Sequence, residues 1–168
     1  GTVALPFATL TQVLTVAAAN DTIFIDAGIY SDKNQNITQS NLVIIGAGSS
    51  KTNFNNNFAS ANTNYLLKIL APGVKVIGIM AIKYNNTTTG EGKVITVSGA
   101  AGVYLQDIVL TNNYGGGGGN GALYIAANSS VSIKGGSYSC NPNTGATNDY
   151  GGGIDIVGTG STVTIDST

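Results

Sequence analysis

The chain has no arginine, no histidine and no tryptophan, a single cysteine, and charged residues at only 9% of its 168 positions. Seven lysines against eight acids leave a net charge of −1. Without a basic patch there is no electrostatic footprint for nucleic acid or for an acidic membrane surface, and both partners are excluded. One cysteine cannot close an internal disulfide, and no second cysteine or histidine is present to share a metal. Cys140 therefore reads as a small core or near-core residue. No stretch approaches the roughly 18 uninterrupted apolar residues of a membrane-spanning helix. A charged segment followed by an apolar one is missing at Gly1, and the chain stops inside a repeat at Ile165-Asp-Ser-Thr168. The expectation is a piece of a longer protein that continues beyond residue 168, with its export signal elsewhere.

What is present is 42% hydrophobic residues and 24 glycines, a composition of many short strands joined by tight turns. Four blocks say nearly the same thing: Val74-Lys-Val-Ile-Gly78, Val103-Tyr-Leu-Gln-Asp107, Val131-Ser-Ile-Lys-Gly135 and Val163-Thr-Ile-Asp-Ser167. Leu42-Val-Ile-Ile-Gly46 fits the same frame. The blocks recur about every 30 residues, the signature of a stacked architecture in which no repeat buries its apolar face alone. A second series runs alongside: Leu67-Lys-Ile69, Ile95-Thr-Val97, Leu123-Tyr-Ile125 and Ile154-Asp-Ile156. Strand side chains alternate between faces, so the outer residues of each triplet point inward and Lys68, Thr96, Tyr124 and Asp155 point outward. By the same rule Lys75, Tyr104 and Ser132 form another outward column, and Ile108-Val-Leu110 reads as a third short strand.

Residues 6–19 carry the one helical pattern, with Pro6 in a first turn and Phe7, Leu10, Val13, Leu14 and Ala17 at helical spacing. Residues 1–20 are expected to cap the open end of a stack formed by residues 21–168. The polar segment Ser49 to Asn64 reads as a loop or excursion. Loops are also expected at Tyr84–Gly92, Asn112–Gly121 and Asn141–Gly151. The run Gly115–Gly119 is no phosphate loop, because no Gly-Lys-Ser/Thr and no helix pattern follow it.

Pro6-Phe-Ala-Thr-Leu10, Asn20-Asp-Thr-Ile-Phe-Ile-Asp-Ala-Gly-Ile-Tyr30 and Leu42-Val-Ile-Ile-Gly-Ala-Gly48 together resemble the opening of pectin-lyase-like proteins. The resemblance implies an all-β fold: a right-handed, single-stranded parallel β-helix, a solenoid of about five coils with an N-terminal capping helix. Gly121-Ala-Leu-Tyr-Ile125, Gly152-Gly-Ile-Asp-Ile156 and the aromatic-x-x-Asn block Tyr138-Ser-Cys-Asn141 are similar to repeats of bacterial surface β-helices, polymorphic outer-membrane proteins among them. Leu110-Thr-Asn-Asn113 follows the same block with Leu in place of the aromatic residue. This second resemblance implies a secreted or cell-surface adhesin rather than a named enzyme.

Two functions stay open. One is a structural and adhesive segment of a large secreted bacterial surface protein, acting as a monomer on polysaccharide or other surface ligands, with Tyr104, Tyr124, Lys68, Lys75 and Asp155 as binding residues. The other is a polysaccharide lyase or glycoside hydrolase. On this fold lyases use a basic residue, often Arg, and hydrolases use clustered carboxylates. Here Arg is absent, and Asp107, Asp155 and Asp166 fall in different repeats; Lys134 beside Asp166 reads as a cross-strand ion pair. No catalytic residue, metal site or cofactor is assigned. Calcium-binding spacings such as Asp-x-Asp-x-Asp do not occur, and the Thr-x-Thr ladder of an ice-binding face is missing.

Overall fold

The computed structural model describes residues 5–58, 63–86, 88, 91–116, 121–141, 143–144 and 152–166. After a short helix, α1 (Leu10–Leu14), the chain winds into a parallel β-helix. The first coil holds β1 (Thr22–Ile25), β2 (Gly28–Tyr30) and β3 (Gln35–Ile37); the second holds β4 (Val43–Gly46), β5 (Thr52–Asn55), β6 (Thr63–Asn64) and β7 (Leu67–Ile69). The third has β8 (Lys75–Ile82), β9 (Asn85–Asn86) and β10 (Ile95–Val97), and the fourth β11 (Val103–Thr111), β12 (Gly115–Gly116) and β13 (Leu123–Ile125). β14 (Ser130–Lys134), β15 (Ser137–Ser139), β16 (Asn143–Thr144) and β17 (Ile154–Ile156) make the fifth, and β18 (Thr162–Asp166) opens another.

Strands pair in parallel with their equivalents one coil away, except that β6 runs antiparallel to β9. One sheet follows the order β1-β4-β8-β11-β14-β18 and a second the order β17-β13-β10-β7-β3. The register brings Ile23, Ile44, Val76, Leu105, Ile133 and Ile165 into one inward ladder, and Ile37, Ile69, Val97, Ile125 and Ile156 into another. Packed against each other, these ladders form the core. Ile165, on the last rung, keeps the inward position but is 63% exposed.

The second halves of the long strands stack as well, through a corner where Gly78 and Asp107 adopt left-handed backbone (φ 66 and 50). The short strand expected at Ile108–Leu110 is thus the continuation of β11 beyond this corner. The segment expected to be a loop at 49–64 contains a true strand, β5, paired with β2 and β8. It has one apolar residue, Phe54, which turns inward onto the ring of Tyr30 at 5.4 Å. Thr52 is held inside because its hydroxyl donates to Asp26 O (3.1 Å) and accepts from Ala47 N–H (2.8 Å). In the expected loops, β9 is bridged to Tyr114, and Gly115–Gly116 pairs with Asn143–Thr144, so the first two glycines of the run belong to a ladder. Gly117–Gly119 lie outside the described residues.

The helix is five residues long, not the fourteen that spacing suggested. Thr9 caps it by accepting from Gln12 N–H (3.2 Å), and Gln12 Oε1 accepts from Ala8 N–H (3.1 Å), a shifted version of the capping box that starts the helix at Leu10. At the other end the Thr15 hydroxyl donates to Gln12 O (2.7 Å). Asp32 and Gln35 tie α1 to the first coil: Asp32 Oδ1 accepts from Thr11 N–H (3.1 Å), and Gln35 Nε2 donates to Thr11 Oγ1 (2.9 Å). Cys140 is exposed, not in the core; it occupies a left-handed turn (φ 53), and the next residue takes the interior position instead.

That next residue explains the aromatic-x-x-Asn block. Tyr138 pairs in register with Leu110, and Asn141 stacks on Asn113. Asn113 donates to Asn141 Oδ1 (2.9 Å) and to Ala81 O (3.1 Å), and accepts from Tyr84 N–H (3.0 Å); Asn141 donates to Leu110 O (2.8 Å). Both amides are buried and bonded at every turn, as buried polar groups must be. Asn113→Ala strands the Tyr84 N–H and the Ala81 carbonyl without water. It is expected to cost about 2–4 kcal/mol in chemical denaturation. A loss below about 0.5 kcal/mol would contradict the ladder's role.

Candidate functional site

The five sequence-predicted binding residues fall on two separate sheets. Register places Asn36, Lys68, Thr96, Tyr124 and Asp155 in one column across β3, β7, β10, β13 and β17. Lys75, Tyr104, Ser132 and Thr164 share a column across β8, β11, β14 and β18. Lys68, Tyr124 and Asp155 are therefore brought together, as are Lys75 and Tyr104, but the two sets belong to different faces. Lys134 and Asp166 are also in register.

The first column is not the open surface that alternation suggested. Thr96 is 2% exposed and Tyr124 8%. Gly92 closes over Thr96: its N–H donates to Thr96 Oγ1 (2.7 Å), and Asn86 Nδ2 donates to Gly92 O (3.0 Å). Position 92 has to be glycine for this approach, since a Cβ there would lie 2.1 Å from Ile95 O. Glu91, absent from the sequence reading, sits on the same cover and binds Lys68 Nζ through Oε1 at 2.6 Å. Its other oxygen accepts from Asn86 Nδ2 at 3.4 Å. Tyr65 completes the cluster by donating to Asn36 Oδ1 (2.9 Å); burial raises its phenol pKa, with Glu91 adding to the rise and Lys68 opposing it. The only sequence signal for Glu91 is a lone acid between two glycines.

At the far end of the column Asp155 lies one strand spacing, roughly 4.8 Å, from Tyr124. Burial raises the Asp155 pKa above its ordinary value, and its Oδ2 is buried with no hydrogen-bond partner. Burial, then the nearby Asp155, raises the Tyr124 phenol in turn.

The second face is half-open. Tyr104 lies beside Lys75 and Ser132, and its hydroxyl donates to Gln106 Oε1 (2.9 Å), which pins the ring along the strand. Asp107 serves the coil stack. Its Oδ1 accepts from Ser49 Oγ (2.7 Å) and its Oδ2 from Ser49 N–H (3.1 Å), joining the second coil to the fourth. The intervening corner residue, Gly78, makes room, since a Cβ there would press on Gly46 O and Gly48 at 3.2 Å. Among the described residues no group of three or more acidic or cysteine side chains converges as a metal site, and no helix is long and apolar enough to cross a membrane.

Among the described residues, two hollows are notable. One, of about 560 Å³, lies between residues 6–13 and the first coil and is lined mainly by apolar side chains, Ile23, Tyr30 and Phe54 among them. The other, of about 320 Å³, is lined by Phe58, Asn85 and Tyr114. Phe58 has left-handed backbone (φ 50), a conformation that costs a bulky L-residue on the order of 1–2 kcal/mol.

No protein-family model matches the chain, and no curated protein matches it. Among solved structures, a pectin methylesterase in complex with a hexasaccharide aligns at a TM-score of 0.48 and 16% sequence identity. The alignment covers 96% of this chain, which spans 63% of the length of that one.

Asp155 carries a signed prediction. Because its folded pKa is raised, the folded chain holds the proton more tightly than the unfolded chain between pH 3.8 and the raised value. Stability from this group therefore falls as pH rises through that window, and at pH 7 the buried carboxylate is unfavourable. Asp155→Asn is expected to raise the Tm at pH 7, with the gain closing as pH falls below about 4. A lower Tm for Asp155→Asn at pH 7 would contradict this reading.

Proposed function

We propose that the chain is a structural and adhesive segment of a large secreted bacterial cell-surface protein, a monomeric β-helix that holds polysaccharide on the Tyr104 face. The observation that carries this reading is where the polar side chains are bonded. Lys68 is held by Glu91, Asp107 by Ser49, and Asn113 by Asn141; each ties one coil or its cover to another. Side chains committed to joining coils serve a rod that spans and displays, and they leave few groups for chemistry on a substrate. The Tyr104 column is the complement: a pinned ring beside the exposed cation of Lys75 and the exposed hydroxyl of Ser132. A flat phenol can stack on a sugar face, and an ammonium next to it favours uronate-containing chains.

Cleavage of polysaccharide is the alternative, and Asp155 favours it. A carboxyl whose pKa is raised by burial holds its proton to higher pH, the direction a general acid needs. Acid–base hydrolysis needs a second carboxylate across the scissile bond. The remaining members of that column are Asn36, Lys68, Thr96 and Tyr124, so the adhesive reading is preferred.

The test is binding of oligogalacturonate by calorimetry, run beside an assay for new reducing or unsaturated ends. Binding without cleavage is expected, with Tyr104→Ala weakening affinity about fivefold, the equivalent of about 1 kcal/mol of stacking. Product release that is lost in Asp155→Asn would replace this reading with the enzymatic one.

A further inference from the structure

We infer that the hollow formed by Phe58, Asn85 and Tyr114 is a second carbohydrate site, one that takes a neutral sugar ring between its two aromatic side chains. The inference rests on the glycan-binding reading above, but it concerns other residues and the opposite charge preference. The three residues come from three successive coils. Phe58 N–H donates to Lys83 O (2.8 Å), which sets residue 58 against residue 84, and Asn85 bridges Tyr114 in parallel. The two aromatic residues therefore flank the third coil from opposite sides, about two strand spacings or roughly 10 Å apart, with Asn85 lining the same hollow one place beyond the residue opposite Phe58. That spacing leaves room for one ring lying between two aromatic side chains.

Three features point to a sugar. Both aromatics are exposed, Phe58 at 43% and Tyr114 at 36%. The third lining residue, Asn85, carries an amide, a group that both donates and accepts as sugar hydroxyls do. Among the described residues the lining has no charged side chain to favour a uronate over a neutral hexose. The volume, about 320 Å³, falls at the small end of ligand pockets. The backbone gives an independent sign. Phe58 is a bulky residue in left-handed conformation, where glycine or asparagine is the ordinary choice, and strain of this kind clusters at ligand clamps. Replacement by glycine would suit the backbone and remove the ring.

The experiment uses purified chain with neutral glucan and mannan hexasaccharides, and oligogalacturonate as the acidic comparator, read by calorimetry with Tm and sedimentation measured in parallel. Expected results are binding of at least one neutral hexasaccharide, a loss of tenfold or more in Phe58→Gly and in Tyr114→Ala, and retention in Tyr114→Phe. Phe58→Gly is expected to keep or raise the Tm and to keep its oligogalacturonate affinity, which separates a lost site from a lost fold. Wild-type affinity for neutral sugar in both ring-deleting variants would overturn the site while leaving the adhesive reading intact. Binding of oligogalacturonate alone would do the same. Binding of neither class would overturn both. A dimer in the wild type that becomes monomeric in Phe58→Gly would also overturn the site, because the hollow would then be a contact between copies.

Discussion

In-register parallel pairing between successive coils is the constraint on which the rest of this structure depends. Every inward ladder exists because a strand meets its own equivalent one turn later, so like residues stack on like. A shift of one residue would send the Ile44–Val76–Leu105–Ile133 ladder to solvent and its polar neighbours into the core. The interior tolerates polar residues on the same condition. Asn113 and Asn141 stay satisfied because each amide finds the next coil's backbone or the next amide at hydrogen-bond distance.

The same pairing sets what the surface can do. A column of outward side chains on neighbouring strands is spaced at roughly 4.8 Å, close enough for neighbours to bond and too regular to gather reactive groups at one point. Convergence needs something that crosses the columns. Among the described residues three segments do so: the cover carrying Glu91 and Gly92, the turn carrying Ser49, and the turn carrying Phe58. The first two tie the stack together, and the third helps to line an open hollow. The turns thus bring together side chains that the strands keep in separate columns.

Much of the stack was legible in the sequence. The triplets at Leu67, Ile95, Leu123 and Ile154 pair in the register that their alternation implied, because aliphatic period-two patterning is a local signal of a buried face. β5 carries no alternating aliphatic signal, because Asn53 and Asn55 flank a lone Phe54 whose burial depends on Tyr30 in another coil. The helix was overextended because apolar spacing at Phe7 and Ala17 outweighed the Thr9–Gln12 capping signal. The candidate site was legible only in part. Alternation placed Lys68, Tyr124 and Asp155 in one column, but it could not show that Gly92 would fold onto Thr96 and leave Tyr124 covered. Phe58 and Tyr114 carry no periodic signal, and only the fold brings them to one hollow.

The central claim, pairing in register from coil to coil, can be measured directly by scalar couplings across hydrogen bonds in an isotope-labelled sample. The account predicts a correlation from the amide nitrogen of Tyr104 to the carbonyl carbon of Val74, and one from Asn112 to that of Cys140, matching bonds of 2.9 and 2.8 Å. Correlations from Tyr104 to a residue of its own coil, or to any carbonyl one place away from Val74, would contradict the register and the ladders built on it.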